Sequence, residues 1–307
     1  MSDTIMGTPD GDMLVSTSMS GDGNEVLGLG GNDTVLGGAG SDTIDGGAGD
    51  DWLVSQSVVG EATVVTGGGG NDWLWSGLGA DTLSGGSGND VLVSRSAYDS
   101  PTTEAVLLDG GTGNDTMFGG TGDDTLLGGA GNDQIVVGSG HQVALGGAGD
   151  DLIMDGVAGQ GWGLSSGSST LDGGAGNDYI VGSGSDTLLG GADDDILISH
   201  SGTGDSAWLD GGTGNDTLIA AGSGNDVLAG GDGDDMFVFW TSTGNFTISG
   251  GAGNDSLVFD QFASTDATVV AKGDQYEITF AGHDLTLTVS YVESLLFGHD
   301  GTVLMLA

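Results

Sequence analysis

A nine-residue unit recurs along most of this chain and constrains its fold more than any other feature. GGAGSDTID runs from Gly37, GGAGDDWLV from Gly46, GGSGNDVLV from Gly85 and GGTGDDTLL from Gly119, and about eighteen near-copies lie between Gly7 and Val258. Each unit has glycines at positions one, two and four, an aspartate at six, and then a triplet whose middle residue is large and apolar. Glycines at fixed places suit a tight turn with positive φ and close backbone approach. A three-residue apolar strand cannot bury its own side chain, so successive units must stack as coils about 4.8 Å apart. Stacking then sets the aspartates in columns. Carboxylates about 5 Å apart repel by about 1 kcal/mol per pair even at the dielectric of water, and a cation between them reverses the sign.

Composition narrows the cation. Among 307 residues there are 67 glycines and 45 acidic residues but only two basic ones, Arg95 and Lys272, for a formal net charge of −43. Such a surface repels phosphate, which excludes nucleic acid and anionic membranes as partners. With no cysteine there is no thiolate, and the metal must be a hard, oxygen-liganded one, which points to calcium. The start, MSDTIMGTPDGDMLV, lacks the basic and apolar regions of a secretory signal, and no apolar run approaches the roughly 18 residues of a membrane span. Neither membrane insertion nor export by that signal is expected.

Counting turns gives a register. The repeats are interrupted between Val54 and Gly67, Val93 and Gly110, Met154 and Gly173, Ile198 and Gly211, and Val238 and Gly250. Each interruption ends in its own short strand (VVT, LLD, TLD, WLD, TIS), so each reads as one turn replaced by a longer loop, and all five fall on one edge of the stack. The opposite edge then carries thirteen uninterrupted turns, with the candidate metal ligands Asp12, Asp33, Asp51, Asp72, Asp90, Asp115, Asp133, Asp151, Asp178, Asp195, Asp216, Asp235 and Asp255 at position six. Calcium is expected there as a ladder, one ion in each space. The interrupted edge is poorer: Glu25 and Gln142 stand for aspartate, and Asp42, Asp81, Asp124, Asp186 and Asp226 mostly have a loop as neighbour. The long interruption after Met154 has room for two turns, which would invert the register beyond it; the shortened GSG turns at Gly182 and Gly222 favour one.

The same register predicts an apolar column. The last residues of the thirteen triplets are Val15, Leu36, Val54, Trp75, Val93, Phe118, Val136, Met154, Val181, Ile198, Ile219, Val238 and Val258. Successive strand residues face opposite sides, so these point outward beside Trp52, Trp73 and Tyr179 and form a stripe about 60 Å long at about 4.8 Å per rung. Two readings stand: the interruption loops cover it, or it is an association face.

The unit resembles the calcium-binding repeats of the RTX (repeats-in-toxin, haemolysin-type) family. The resemblance implies a parallel β-roll in which six residues turn and three form a strand, two units to a coil. After Val258 the repeats stop and strand-like segments follow, QYEITF from Gln275 and DLTLTV from Asp284. The stretch from Val292 to Val303 resembles the VE-x-L-x-F-x-DGT segment behind RTX repeats, where the family implies a folding cap and an uncleaved type I secretion signal. At the other end Thr4-Ile5-Met6 already reads as a rung, with nothing before it to cap its backbone groups. RTX regions usually accompany an effector domain, whereas here the repeats fill nearly all of the chain.

Catalytic patterns carry little. Gly163 to Gly167 fits G-x-S-x-G but lacks a strand-to-helix elbow, and His141, His200, His283 and His299 form no HExxH. Trp162, Trp208 and Trp240 in the loops could stack on sugars, but small loop cores are the simpler use for them. The expectation is an all-β, right-handed parallel β-roll (β-solenoid) over residues 2–258 with a β-rich C-terminal cap over 259–307. Its expected role is non-enzymatic: a secreted, extracellular structural protein that folds on calcium and self-associates as a homopolymer into a filament, surface layer or matrix. The alternative is a monomeric adhesin or binding module for ice, a surface or a carbohydrate, although Thr43, Thr82, Thr125, Thr170, Thr187 and Thr247 make only a broken threonine array.

Overall fold

Wherever an apolar triplet follows the sixth-position residue, the chain forms a strand that pairs in parallel with the triplet two units on. The computed structural model describes residues 3–94, 104–157, 161–162 and 167–306. The chain divides into two compact units, Met1–Ser165 and Ser166–Ala307. The described residues contain no α-helix, and the architecture is the all-β parallel β-roll expected from the repeat.

In the first unit alternate strands enter alternate sheets. One sheet holds triplets such as Thr34–Leu36, Trp52–Val54, Trp73–Trp75 and Val91–Val93. In the other, strands such as Thr43–Ala48 and Val64–Gly69 are six residues long, because pairing continues through the glycines of the next turn, as in Gly47↔Gly68 and Ala48↔Gly69. The middle residue of each triplet points inward. Val26, Ile44, Val65 and Leu83 face Val35, Leu53, Leu74 and Leu92, all fully buried. The core is therefore one aliphatic side chain per strand, repeated.

The second unit continues the pattern with Thr170–Ala175, Thr187–Ala192, Trp208–Thr213 and Val227–Asp232 in one sheet, and Tyr179–Ser183, Ile196–His200, Thr217–Ala220 and Met236–Phe239 in the other. One further coil lacks the nonapeptide: Asp284–Ser290 pairs in parallel with Thr243–Ala252, and Ser294–Phe297 with Ser256–Phe259. Antiparallel strands follow outside it, Gln275–Phe280 and Ala267–Lys272 on one sheet and Thr302–Met305 on the other. Here aliphatic core gives way to aromatic. Phe259 lies 5.6 Å from Phe239, 4.9 Å from Phe280 and 5.4 Å from Phe297, ring centre to ring centre. Large rings fill the wider space where antiparallel strands close over the last coil.

The apolar column does not form the exposed stripe expected of it. Val93, Val181, Ile198, Ile219 and Val238 are buried, and the last four form a cluster with Ala221 and Val258 packed against it. In the second unit the strands run one or two residues past the triplet, and neighbouring branched side chains cover one another along the column. In the first unit most members are half-buried, and Val15 (47% exposed) borders Met13, with Trp52 (45%) and Trp73 (43%) on following rungs. The two indoles stack with centroids 5.5 Å apart.

Candidate metal ladder

The turn between sheets sets the geometry. In Gly46-Gly47-Ala48-Gly49-Asp50-Asp51, Gly47 and Gly49 have φ of 100° and 132°, a region costly for residues with a Cβ. A Cβ on Gly46 would strike both the Asp51 Oδ2 and the Gly67 carbonyl oxygen of the next rung. The first glycine thus leaves space into which a carboxylate and a neighbouring carbonyl converge, and the same two kinds of oxygen face Gly85, Gly128 and Gly211.

All thirteen predicted aspartates immediately precede strands of the short-strand sheet of their unit. In the first unit the backbone N–H of each donates to Oδ1 of the next, from Asp12 to Asp33 (2.7 Å) through Asp133 to Asp151 (2.7 Å). In the second unit the same bond links Asp178, Asp195, Asp216, Asp235 and Asp255 at 2.8 to 2.9 Å. Asp12 is half-buried and the other twelve are buried.

Their second oxygens are the unusual feature. Oδ2 of Asp33, Asp51, Asp72, Asp90, Asp115, Asp133, Asp195, Asp216, Asp235 and Asp255 is buried and accepts no hydrogen bond. A buried, unpaired carboxylate oxygen costs several kcal/mol unless a proton or cation joins it, by order of magnitude. Burial accordingly raises the carboxyls of Asp72, Asp133 and Asp195 from 3.8 to about 7, and those of Asp51, Asp90, Asp216, Asp235 and Asp255 to about 6, with charged neighbours pushing the same way. Asp115 is raised as well, again by burial.

No three His, Asp or Glu side chains converge among the described residues. Carboxylates stand one per rung, so a cation between rungs must complete its shell with backbone carbonyls such as that of Gly67. Calcium, which takes six to eight oxygens and readily accepts carbonyls, fits this donor set.

The interrupted edge is built differently. Asp42 Oδ1 accepts from Asn24 N, and its Oδ2 accepts from Gly38 N (2.7 Å) and Ser18 Oγ (2.9 Å). Asp81 accepts from Thr63 N and Gly77 N, with Ser57 Oγ at 2.9 Å from both oxygens. Asp226 accepts from Ala207 N, Ser199 Oγ and Ser201 Oγ, and Asp124 and Asp186 have backbone donors to both oxygens. The position-six residue of the first turn on the interrupted edge is Asn24; Glu25 is the first residue of the next strand, which corrects its expected place. The hydroxyl donors escaped the sequence reading, although a signal exists in Ser16-Thr17-Ser18, Ser55-Gln56-Ser57 and Ser199-His200-Ser201, each directly after an apolar triplet. Of the discounted G-x-S-x-G segment all but Gly167 lies outside the described residues, as do the side chain of Trp162 and the part of the long interruption that bears on the register.

Comparison with known proteins agrees with this geometry. The crystal structure of a hyperactive, Ca2+-dependent, β-helical antifreeze protein from an Antarctic bacterium superposes with a TM-score of 0.55 at 19% identity, over 84% of this chain and 86% of that one, a likeness of fold. No curated protein matches the chain in sequence. The family model for the RTX calcium-binding nonapeptide repeat matches residues 20–55, 60–92, 109–141, 165–183, 181–204, 201–237 and 238–265. With more than half of its length matched, the chain belongs to the RTX calcium-binding nonapeptide-repeat family, and calcium is its metal.

Proposed function

We propose that the thirteen aspartates hold a row of calcium ions between successive rungs, and that the chain is a secreted extracellular protein, exported by the type I route through its C-terminal cap region, that folds on meeting calcium outside the cell. The observation that carries this is the column of buried Oδ2 atoms without a hydrogen-bond partner. Eight aspartates from Asp12 to Asp151 bound seven spaces and five from Asp178 to Asp255 bound four. A bound ion neutralises the carboxylates, ties adjacent turns and adds stability to the folded state alone. The hydroxyl-satisfied edge needs no ion, so binding is one-sided. Circular dichroism during a calcium titration tests the reading: β structure should appear near 0.1 to 1 mM calcium, by order of magnitude for extracellular modules. A full β spectrum at neutral pH in excess chelator would overturn it.

The role we infer is structural, with self-association into a filament, layer or matrix through the exposed face around Val15, Trp52 and Trp73 of the first unit. A second reading, adhesion to ice, is favoured by one observation besides the antifreeze character of the structural neighbour. The fifth turn residues, among them Asn71, Asn89, Asn114 and Asn132, are exposed, and backbone N–H to side-chain bonds of 2.8 to 2.9 Å hold them in register. Ice-growth inhibition by the calcium-loaded monomer would select adhesion, and its absence would leave the structural role.

A further inference from the structure

The aspartate column does not end at the last nonapeptide. We propose one further calcium site at its C-terminal end, between Asp255 and Glu293, completed by the carbonyl of Tyr291. The inference rests on the reading of the aspartate column as a calcium ladder and adds a ligand set outside the repeat.

Three observations carry it. Asp255 N donates to Glu293 Oε2 at 2.7 Å, the same bond that joins each aspartate to the next rung. Glu293 immediately precedes the strand Ser294–Phe297, as each aspartate precedes its own, and Ser256 pairs with Ser294. Glu293 is therefore the carboxylate of the following rung, with one extra methylene.

The second observation is the backbone. A Cβ on Gly250 would meet Asp255 Oδ2 and the Tyr291 carbonyl, where at Gly211 it meets Asp216 Oδ2 and the Gly230 carbonyl. Tyr291 reaches that place from a turn of only three residues, and it does so at φ 54°, in the left-handed region that a residue with a side chain rarely adopts. The third is need: Asp255 is 1% exposed, and its Oδ2 is buried without a hydrogen-bond partner. Two carboxylates and a carbonyl facing one space are a donor set for a hard divalent cation.

Two experiments on the full chain test the site. In crystals of the wild type grown in calcium, an anomalous difference peak should stand between Asp255 and Glu293. Peaks along the rest of the column with none there would overturn this site alone, and no peaks anywhere would overturn the ladder as a whole. In solution, calorimetric titration should show Glu293→Gln binding one calcium fewer than the wild type, while Tyr291→Gly, which keeps the carbonyl, binds the wild-type number. Asp133→Asn serves as the control and should also lose calcium. A loss in Asp133→Asn with none in Glu293→Gln would overturn the terminal site, and should Glu293→Gln fail to fold in saturating calcium the crystal decides.

Discussion

One oxygen atom per turn separates the two edges of this protein. On the interrupted edge the carboxylates of Asp42, Asp81 and Asp226 have partners for both oxygens; on the ladder edge Asp72, Asp133 and Asp195 have a partner for one. Without metal, burial holds these three carboxyls at about 7 against an ordinary 3.8. A folded-state value raised above the unfolded one means that the folded coil binds protons more tightly. Its contribution to stability is complete below the unfolded value and is lost as pH rises through about 6 to 7. Calcium bound as proposed requires the ionised form, so proton and metal would compete for the same oxygens. In chelator, β structure measured by circular dichroism should therefore grow as the pH falls from about 8 to about 5, while apparent calcium affinity should fall over the same range. A chelated chain equally disordered at both pH values would show that the buried oxygens do not control folding. The thirteen aspartates were legible because identity and spacing repeat together. Glu293 was not, because it stands in a shortened turn outside the nonapeptide and differs in residue type. Leu29 and Asp193 show the reverse case: both sit at φ 79° at turn positions where the repeat has glycine, so the register of the motif outlasts its composition.

At the scale of the turn, the long loops that follow Val15, Val54 and Ile198 on the interrupted edge supply hydroxyls to the aspartate of the next short turn. Ser18 serves Asp42, Ser57 serves Asp81, and Ser199 with Ser201 serves Asp226. Ser57 and Asp81 are both about 1% exposed, so water does not compete for the bond. Removing one partner of a buried hydrogen bond to a charged group costs about 1 to 3 kcal/mol. Ser57→Ala should lower the melting temperature in saturating calcium by several degrees and leave the calcium stoichiometry unchanged. Melting like the wild type, or an altered ion count, would mean that the hydroxyl is not what stands in for metal there. The rungs themselves were readable from triplets and glycines, because a rung is a local pattern. The serines were not, because a short Ser-x-Ser reads as loop composition until stacking brings the neighbouring aspartate to it. Burial of Val181, Ile198, Ile219 and Val238 was hidden for the same reason, since alternation shows which way a side chain points but not what lies above it.

Over the whole molecule, charge opposes association and one face favours it. On the proposed ladder, eleven divalent ions, one in each described space, would offset about half of the formal charge of −43. The remainder still repels a second copy, although 0.1 M salt screens exposed charges beyond about 10 Å. The face that would gain from association lies on the short-strand sheet of the first unit, where Met13, Val15, Trp52 and Trp73 are exposed and the two indoles stack. Aromatic anchors at the centre of an interface commonly contribute about 2 to 4 kcal/mol each, so Trp52→Asp should weaken self-association by roughly 30-fold to 1,000-fold. Association should also demand calcium, which orders the rungs bearing the indoles, and should strengthen with salt, because screening reduces like-charge repulsion while the apolar contact persists. Light scattering at about 1 mM calcium measures both dependences, and circular dichroism shows whether Trp52→Asp still folds. A wild type that stays monomeric under those conditions, or a Trp52→Asp chain that assembles equally well, would remove this face from the structural role and leave surface adhesion as the reading to pursue.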